Sequence, residues 1–411
     1  MSSHILKEAK RCLQCKNPLC EKGCPVNTPI KSMIDGFINN KIPETGKMLF
    51  KNNPLSVVCS LVCPHEAQCE GSCVLNNKDN PINISQIEHY ISDYYLNTIE
   101  KHFEPITKEK IAIIGSGPAG ITIALMLAMK GYDVAIFEAK DKIGGVLRYG
   151  IPEFRLPKSI LDRIHDKLIA LGISIRPNTL IGPTLSINDL FFDGYKAIFI
   201  GTGIWKPKKL NIKGESLAHV HFAIDYLKNP DVYNLGKNVV IIGAGNVAMD
   251  VARTAIRHKS KNVTILYRKG RKNIPARQDE VDYAKIDGVK FEYFKQPIEF
   301  NDKGVVYNKT YFEQDKNGKN KFKIDKSKKF LLEADSIIEA ISQGPQTNIV
   351  STCEDIETGN KGLVKTENIG QTTKDGVFAS GDVVHGAKTV VEAVHYSKKV
   401  AQQIEKYLKN K

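Results

Sequence analysis

The sequence predicts an α/β chain in which two doubly wound, Rossmann-like folds follow a helical, cysteine-rich N-terminal segment. Three observations carry this reading. Gly115-Ser-Gly-Pro-Ala-Gly120 and Gly243-Ala-Gly-Asn-Val-Ala248 each stand between a short apolar run and a helical pattern. Eight of the nine cysteines fall between Cys12 and Cys73, at one end of 411 residues.

Composition sets the frame. At ~150 residues per domain the length suggests two to three domains. With 42% hydrophobic and 25% charged residues, the chain is unlike disordered or fibrous sequences. No apolar run approaches the ~18–20 residues of a membrane span. The opening Met1–Arg11 has no apolar core, so a cytoplasmic address is expected. In that setting clustered cysteines read as metal ligands before disulfides. The net charge is +14, but arginine supplies only ten of the 59 basic residues, and the lysines are scattered. No aromatic residues interleave with them, so neither a nucleic-acid nor a membrane partner is expected.

The elements follow in order. Up to about Pro105 the chain shows short helical patterns, Ile30–Phe37 and Ile84–Tyr95, and Glu100–Pro105 reads as a linker. Ile111–Ile114 reads as a buried parallel strand, Ile121–Met129 as a helix and Asp133–Glu138 as a second strand ending in an acid. The theme repeats with strand Asn238–Ile242, helix Met249–His258 and strand Asn262–Tyr267. The stretch after Ala334–Ala340 includes Gly376–Asp382 and a helix from about Lys388. It is too short to stand alone and is expected to return to the first fold.

Each turn has a physical purpose. The first glycine permits the turn, the second lets backbone approach a pyrophosphate, and the third lets helix and strand pack closely. The helix start then offers free amides to the phosphates. Gly115, Gly117 and Gly120, with Pro118 and Ala119 between them, are placed for this, and Glu138 is placed to accept ribose hydroxyls. The second turn offers Gly243, Gly245, Asn246 and Val247, with Ala248 in the third position. Its following strand ends in Tyr267-Arg268-Lys-Gly-Arg271. A guanidinium there binds a 2′-phosphate, so Arg268 and Arg271 predict NADPH over NADH.

Two nucleotide sites in one chain suggest a flavin enzyme reduced by a nicotinamide nucleotide. Gly381-Asp382, after the strand-like Val377–Ala379, fits the late flavin-contacting motif of such enzymes. No cysteine lies between Val74 and Thr352, so a disulfide reductase is not expected. The N-terminal run supplies another exit. It reads Cys12-x2-Cys15-x4-Cys20-x3-Cys24-Pro, then Cys59-x3-Cys63-Pro-x4-Cys69-x3-Cys73. Beside a flavin, iron–sulfur is favoured over structural zinc. A nicotinamide gives two electrons and a cluster takes one, so a flavin belongs between them.

These residues resemble the small (β) subunit family of glutamate synthase. Its module is shared with the NADPH subunit of bifurcating transhydrogenases and the N-terminal half of dihydropyrimidine dehydrogenase. The resemblance covers nearly the whole chain and rests on Arg11–Cys15, Gly23–Pro25, Asn53–Leu55, Val62–Pro64, Cys69–Cys73, Gly115–Gly120, Gly144-Gly145, Tyr149–Lys158, Gly243–Asp250, Tyr267-Arg268, Pro275-Ala276 and Gly381-Asp382. It implies a helical domain with two [4Fe-4S] clusters (1–105), a split FAD domain (106–230 and 341–411) and an NADPH domain inserted within it (231–340).

The resemblance also implies site residues. One cluster takes Cys12, Cys15, Cys20 and Cys73. The other takes Cys24, Cys63, Cys69 and the carboxylate of Glu88, leaving Cys59 spare. Gly144, Gly145, Leu147 and Arg155 lie along the FAD. Ser342 stands where the family usually has glycine. The activity implied is hydride transfer from NADPH to FAD, with positioning in place of a side-chain acid or base. Electrons then pass singly through the clusters to a partner subunit, which in glutamate synthase is the large chain that makes glutamate from glutamine and 2-oxoglutarate. An oligomer is expected. The alternative partners are those of dihydropyrimidine dehydrogenase or a bifurcating ferredoxin-NADP transhydrogenase. A zinc-bearing, non-enzymatic protein is the distant alternative. The chain's length is closer to the stand-alone pyrimidine subunit, whereas Arg268, Arg271 and Glu88 speak against that enzyme.

Overall fold

A computed structural model of the chain describes residues 3–78, 80–98, 106–314, 320–367 and 369–410. The expected linker Glu100–Pro105 lies outside them. The chain divides into two compact units. The first comprises residues 1–148, 153–204 and 344–411, the second residues 149–152 and 205–343. Among the described residues no helix is long and apolar enough to cross a membrane.

The first unit begins with helices, and among the described residues before Thr98 there is no strand. Helix Ile30–Ile38 presents Ile30, Met33, Ile34 and Phe37, an i, i+3, i+4, i+7 stripe. Helix Ile84–Thr98 answers with Ile84, Ile87 and Ile91. These side chains form one core with Ile5, Leu49 and Cys69, and Cys12, Cys20, Cys24 and Cys73 pack at its edge. Each fully buried aliphatic contributes roughly 1.5–3 kcal/mol. A rigid apolar floor thus lies beneath the thiols.

The rest of the first unit is a five-stranded parallel sheet. Its order is Val377–Ala379, Ala197–Ile200, Lys110–Ile114, Asp133–Phe137, Ser174–Arg176. The late strand Val377–Ala379 pairs with Ala197–Ile200, so the C-terminal stretch does return to this fold. Helix Pro118–Ala128 begins three residues earlier than its apolar pattern, because Gly117 caps it and Pro118 suits the first helical turn. It is buried on nearly every side, since helix Val390–Lys409 packs over it. That final helix opens at Thr389, whose hydroxyl and the Glu392 carboxylate close a capping box.

The second unit holds a parallel sheet of the same design. Its order is Val220–Phe222, Ser336–Glu339, Asn238–Ile242, Asn262–Tyr267, Lys290–Tyr293. Sequence reading did not anticipate its neighbour, an antiparallel sheet of Lys295–Asn301, Gly304–Gln314 and Asn320–Glu333. The reason is the lysine-rich outer face of Asn320–Glu333, which hides the alternation. On the inner side Phe300, Val305 and Tyr307 pack against Val240, Ile242 and Ile337.

Candidate functional site

Four thiols, those of Cys12, Cys15, Cys20 and Cys73, line one cavity floored by Ile30, Ile34 and Ile84. Gln14 between the first two has φ 48°, which turns the loop tightly enough to aim both cysteines inward. Its amide lies 3.8 Å from Cys12 Sγ. Burial pushes the Cys20 thiol up to about 11, with Cys73 and Glu21 adding to the effect. Burial likewise raises Cys12.

A second group forms deeper in the helical core. Cys24 donates to Thr28 Oγ1 at 3.3 Å. Cys63, Cys69 and Glu88 are all buried. Glu88 lies on the inward face of helix Ile84–Thr98, where sequence alone reads an exposed carboxylate. Burial, then the nearby Glu70, pushes it up to about 8. Its charge acts on Cys24, Cys63 and Cys69 alike, so these four groups are neighbours. Cys59 is buried beside Cys63 and is the largest influence on that thiol, which it and burial hold well above its usual range. Among the described residues no three such groups stand close enough to grip a single metal ion. Neutral, soft, buried thiols fit a cofactor whose binding drives off their protons.

The first dinucleotide turn is built as its pattern requires. Gly115 has φ 95°, and a Cβ there would lie 2.8 Å from the Gly201 carbonyl oxygen. A Cβ at Gly120 would collide with the Gly115 carbonyl. At Gly117 it would meet nothing, which leaves room for a phosphate. Glu138 is buried at the strand end. Its carboxylate accepts from Ser116 N at 2.9 Å, from the Ser116 hydroxyl, and from Lys140 N at 2.8 Å. Ser116 escaped sequence reading because the fingerprint leaves its position free.

The Gly144-Gly145 loop lies directly over this turn. Gly144 N donates to the Ser116 carbonyl at 3.0 Å, and a Cβ on Gly145 would come within 2.8 Å of Gly117 Cα. Leu147 is buried, and its carbonyl accepts from Lys158 Nζ at 2.9 Å, which ties the loop to its far end. Arg155 is half-buried between those anchors. On the opposite side Gly381 approaches the turn, where an added Cβ would stand 3.1 Å from Ala119 Cβ. Asp382 accepts from Lys388 N at 3.2 Å, and burial pushes its carboxyl up to about 6. The first turn, the glycine loop and Asp382 therefore surround one region.

The second turn repeats the geometry. Gly243 has φ 121° with the Ala340 carbonyl against it, and Gly245 again faces open space. Asn246 Oδ1 accepts from Arg277 N at 2.9 Å, and Ala276 N donates to Ala244 O at 3.3 Å. These bonds hold the segment that follows Pro275 against the turn. Val247 is half-buried against the core beneath. Arg268 and Arg271 are both exposed beyond the next strand. The Arg268 guanidinium lies 5.9 Å from the Phe322 ring centre, and its carbonyl accepts from the Thr310 hydroxyl at 2.6 Å. The unanticipated antiparallel sheet thus braces this arginine.

Comparisons with known proteins agree with this geometry. The family model described as dihydropyrimidine dehydrogenase domain II, 4Fe-4S cluster, matches residues 1–99. That described as pyridine nucleotide-disulphide oxidoreductase matches residues 109–397. The Glutamate synthase [NADPH] small chain of Escherichia coli (strain K12) is 32% identical over 98% of this chain and 91% of its own length. The NAD-dependent dihydropyrimidine dehydrogenase subunit PreT of Salmonella typhimurium is 33% identical over 98% of this chain and 94% of its own. Among solved structures, Mycobacterium tuberculosis FprA in complex with NADPH aligns with a TM-score of 0.62 at 17% identity. That alignment covers 74% of this chain and 85% of FprA, and it speaks to fold alone. Two fingerprints, one thiol-rich helical module and matches along nearly the full length lead to one conclusion: the chain belongs to the glutamate synthase small-chain family of pyridine nucleotide oxidoreductases.

Proposed function

We propose that this protein is the electron-input subunit of an NADPH-dependent FAD/iron–sulfur oxidoreductase, serving a glutamate synthase large chain. The observation that carries the reading is the four-thiol cavity, found in the same compact unit as the first dinucleotide turn. The bound groups supply hydride acceptance, at the flavin, and single-electron transfer, at the clusters. The protein's own residues bind and orient them. Gly115–Gly120, Gly144, Gly145 and Asp382 hold FAD, and Gly243–Val247 with Arg268 and Arg271 hold NADPH. Cys12, Cys15, Cys20 and Cys73 hold one cluster; Cys24, Cys63, Cys69 and Glu88 hold a second.

Anaerobic purification tests the cofactors. Roughly eight iron atoms per FAD are expected from two four-iron clusters; a colourless or zinc-only protein refutes the reading. Mixing the holoprotein with a glutamate synthase large chain then tests the partner. NADPH-, glutamine- and 2-oxoglutarate-dependent glutamate formation is expected. A pyrimidine-reducing subunit is the competing partner, because PreT matches this chain equally well. Uracil reduction with such a subunit, and no glutamate with the large chain, would reassign the acceptor.

A further inference from the structure

The final helix, Val390–Lys409, does more than cover the flavin fold. His395 and Lys398, three residues apart, lie on one face of it. The His395 ring lies near enough to the Pro25 carbonyl to be influenced by it. The Lys398 ammonium donates to Asn52 Oδ1 at 2.7 Å. Asn52 in turn donates through Nδ2 to the Val26 carbonyl at 3.3 Å. Both side chains therefore converge on Cys24-Pro25-Val26, and Asn52 fixes where the ammonium stands. Lys398 is half-buried, which lowers its pKa, while a negative charge on the nearby Cys24 sulfur acts to keep the ammonium charged. The acid Glu88 and the thiol of Cys69 also interact with Cys24, and both put negative charge beside it.

A cluster held by three thiolates and a carboxylate gains one negative charge, and no proton, when it takes up an electron. A fixed cation nearby favours that reduced state, and more strongly where water is scarce. We infer that Lys398, stationed by Asn52 beside Cys24, is a positioning residue whose charge draws electrons onto the second cluster. The inference rests on the reading of Cys24 as a ligand of that cluster.

The test uses the anaerobically purified holoprotein, titrated electrochemically and followed by electron paramagnetic resonance. Lys398→Gln keeps a donor for Asn52 and removes the charge. Its reduced-to-oxidised ratio at a fixed potential is expected to fall about tenfold, which for one electron is ~59 mV. Lys398→Arg is expected to stay within about threefold of the parent. A Lys398→Gln protein that titrates like the parent, or a Lys398→Arg protein that shifts equally, overturns the inference. If Lys398→Gln arrives without the cluster, Asn52→Asp takes its place. It leaves the lysine and sets a carboxylate against it, so the ratio must again fall, and an unchanged ratio overturns the inference. Iron content and the parent's signal report separately on the ligand reading. A parent lacking the second cluster refutes both, whereas an intact parent with an unshifted variant refutes only the role of Lys398.

Discussion

The two dinucleotide folds share a frame and differ in what stands at their strand ends. In each, the strand before the glycine turn lies third in a five-stranded parallel sheet. In each, the first glycine donates to the carbonyl ending the next strand's apolar run, Gly115 to Phe137 at 2.8 Å and Gly243 to Leu266 at 3.2 Å. Register then aligns the differences. Ile114 pairs with Ile200 in the first sheet, where Ile242 pairs with Glu339 in the second. Glu138 of the first corresponds to Tyr267 of the second, with Arg268 one residue beyond. Three residues after Ile200 stands Gly203, and three after Glu339 stands Ser342. Apolar strands and the first glycines set the frame, and the strand-end residues carry the differences in charge.

The sharpest contrast is at the third position of each turn. A Cβ at Gly120 would collide with backbone, which cannot swing aside. The second fold carries a methyl there already, on the fully buried Ala248. Gly120→Ala is expected to cost about 3 kcal/mol or more and to empty the protein of FAD. Ala248→Gly should cost only about 1 kcal/mol. Flavin content and thermal unfolding of the pair check this, and equal losses would break the comparison.

The two buried acids come next. Glu138 is satisfied by three hydrogen bonds, whereas neither oxygen of Glu339 receives one. The Leu210 N–H beside it is given to Glu215. Burial first, and then the facing Glu215, pushes Glu339 up to about 8. The folded protein therefore holds a proton that the unfolded chain releases near pH ~4.3. Stability contributed by this group falls as pH rises from that value to about 8, and the loss is complete above it. Glu339→Gln should remove up to ~1.4 kcal/mol per pH unit from this slope. Urea unfolding between pH 5 and pH 9 measures it. A variant with the parent's slope would show that Glu339 is ionised throughout.

The strand-end charges predict opposite nucleotides. Arg268→Ala is expected to lower the NADPH-over-NADH preference in kcat/KM by about 10- to 100-fold. Flavin reduction by the two nucleotides reads this out. An unchanged ratio would place the 2′-phosphate elsewhere and leave Arg268 as a brace against Phe322.

Much of this was legible in the chain itself. Asn238–Ile242 and Asn262–Tyr267 are bounded by glycine and charge, and the strands end where the sequence says. The helices at Ile30 and Ile84 begin where their apolar patterns do, whereas the two that follow the glycine turns begin three residues earlier, because glycine, proline and asparagine in their first turns mask the pattern. Cys73 could not be joined to Cys12 by spacing, since folding through the Ile30–Ile38 and Ile84–Thr98 core brings them to one cavity. The resemblance supplied that grouping, and likewise Glu88. Glu339 gives no signal in the sequence, because an acid closing an apolar run reads as a strand's polar end. Only the register shows it enclosed.

The smallest effect lies at Ser342. Its φ is 105°, whereas Gly203, at the matching place in the first fold, has φ 69°. Both folds make a left-handed turn after the strand, but only one uses the residue free of a Cβ. The turn is held regardless, because Lys208 N donates to the Ser342 carbonyl at 3.1 Å. A non-glycine residue in such a region costs about 1–3 kcal/mol. Glycine would relieve that cost and give back part of it through its freer unfolded chain. Ser342→Gly is therefore expected to stabilise the second unit by about 1 kcal/mol, or ~3 °C in Tm. NADPH affinity should hold or improve, since the turn abuts the Ala340 carbonyl that packs on Gly243. A destabilised variant would mean that the serine is held by something glycine cannot replace, and the likeness of the two folds would end at this turn.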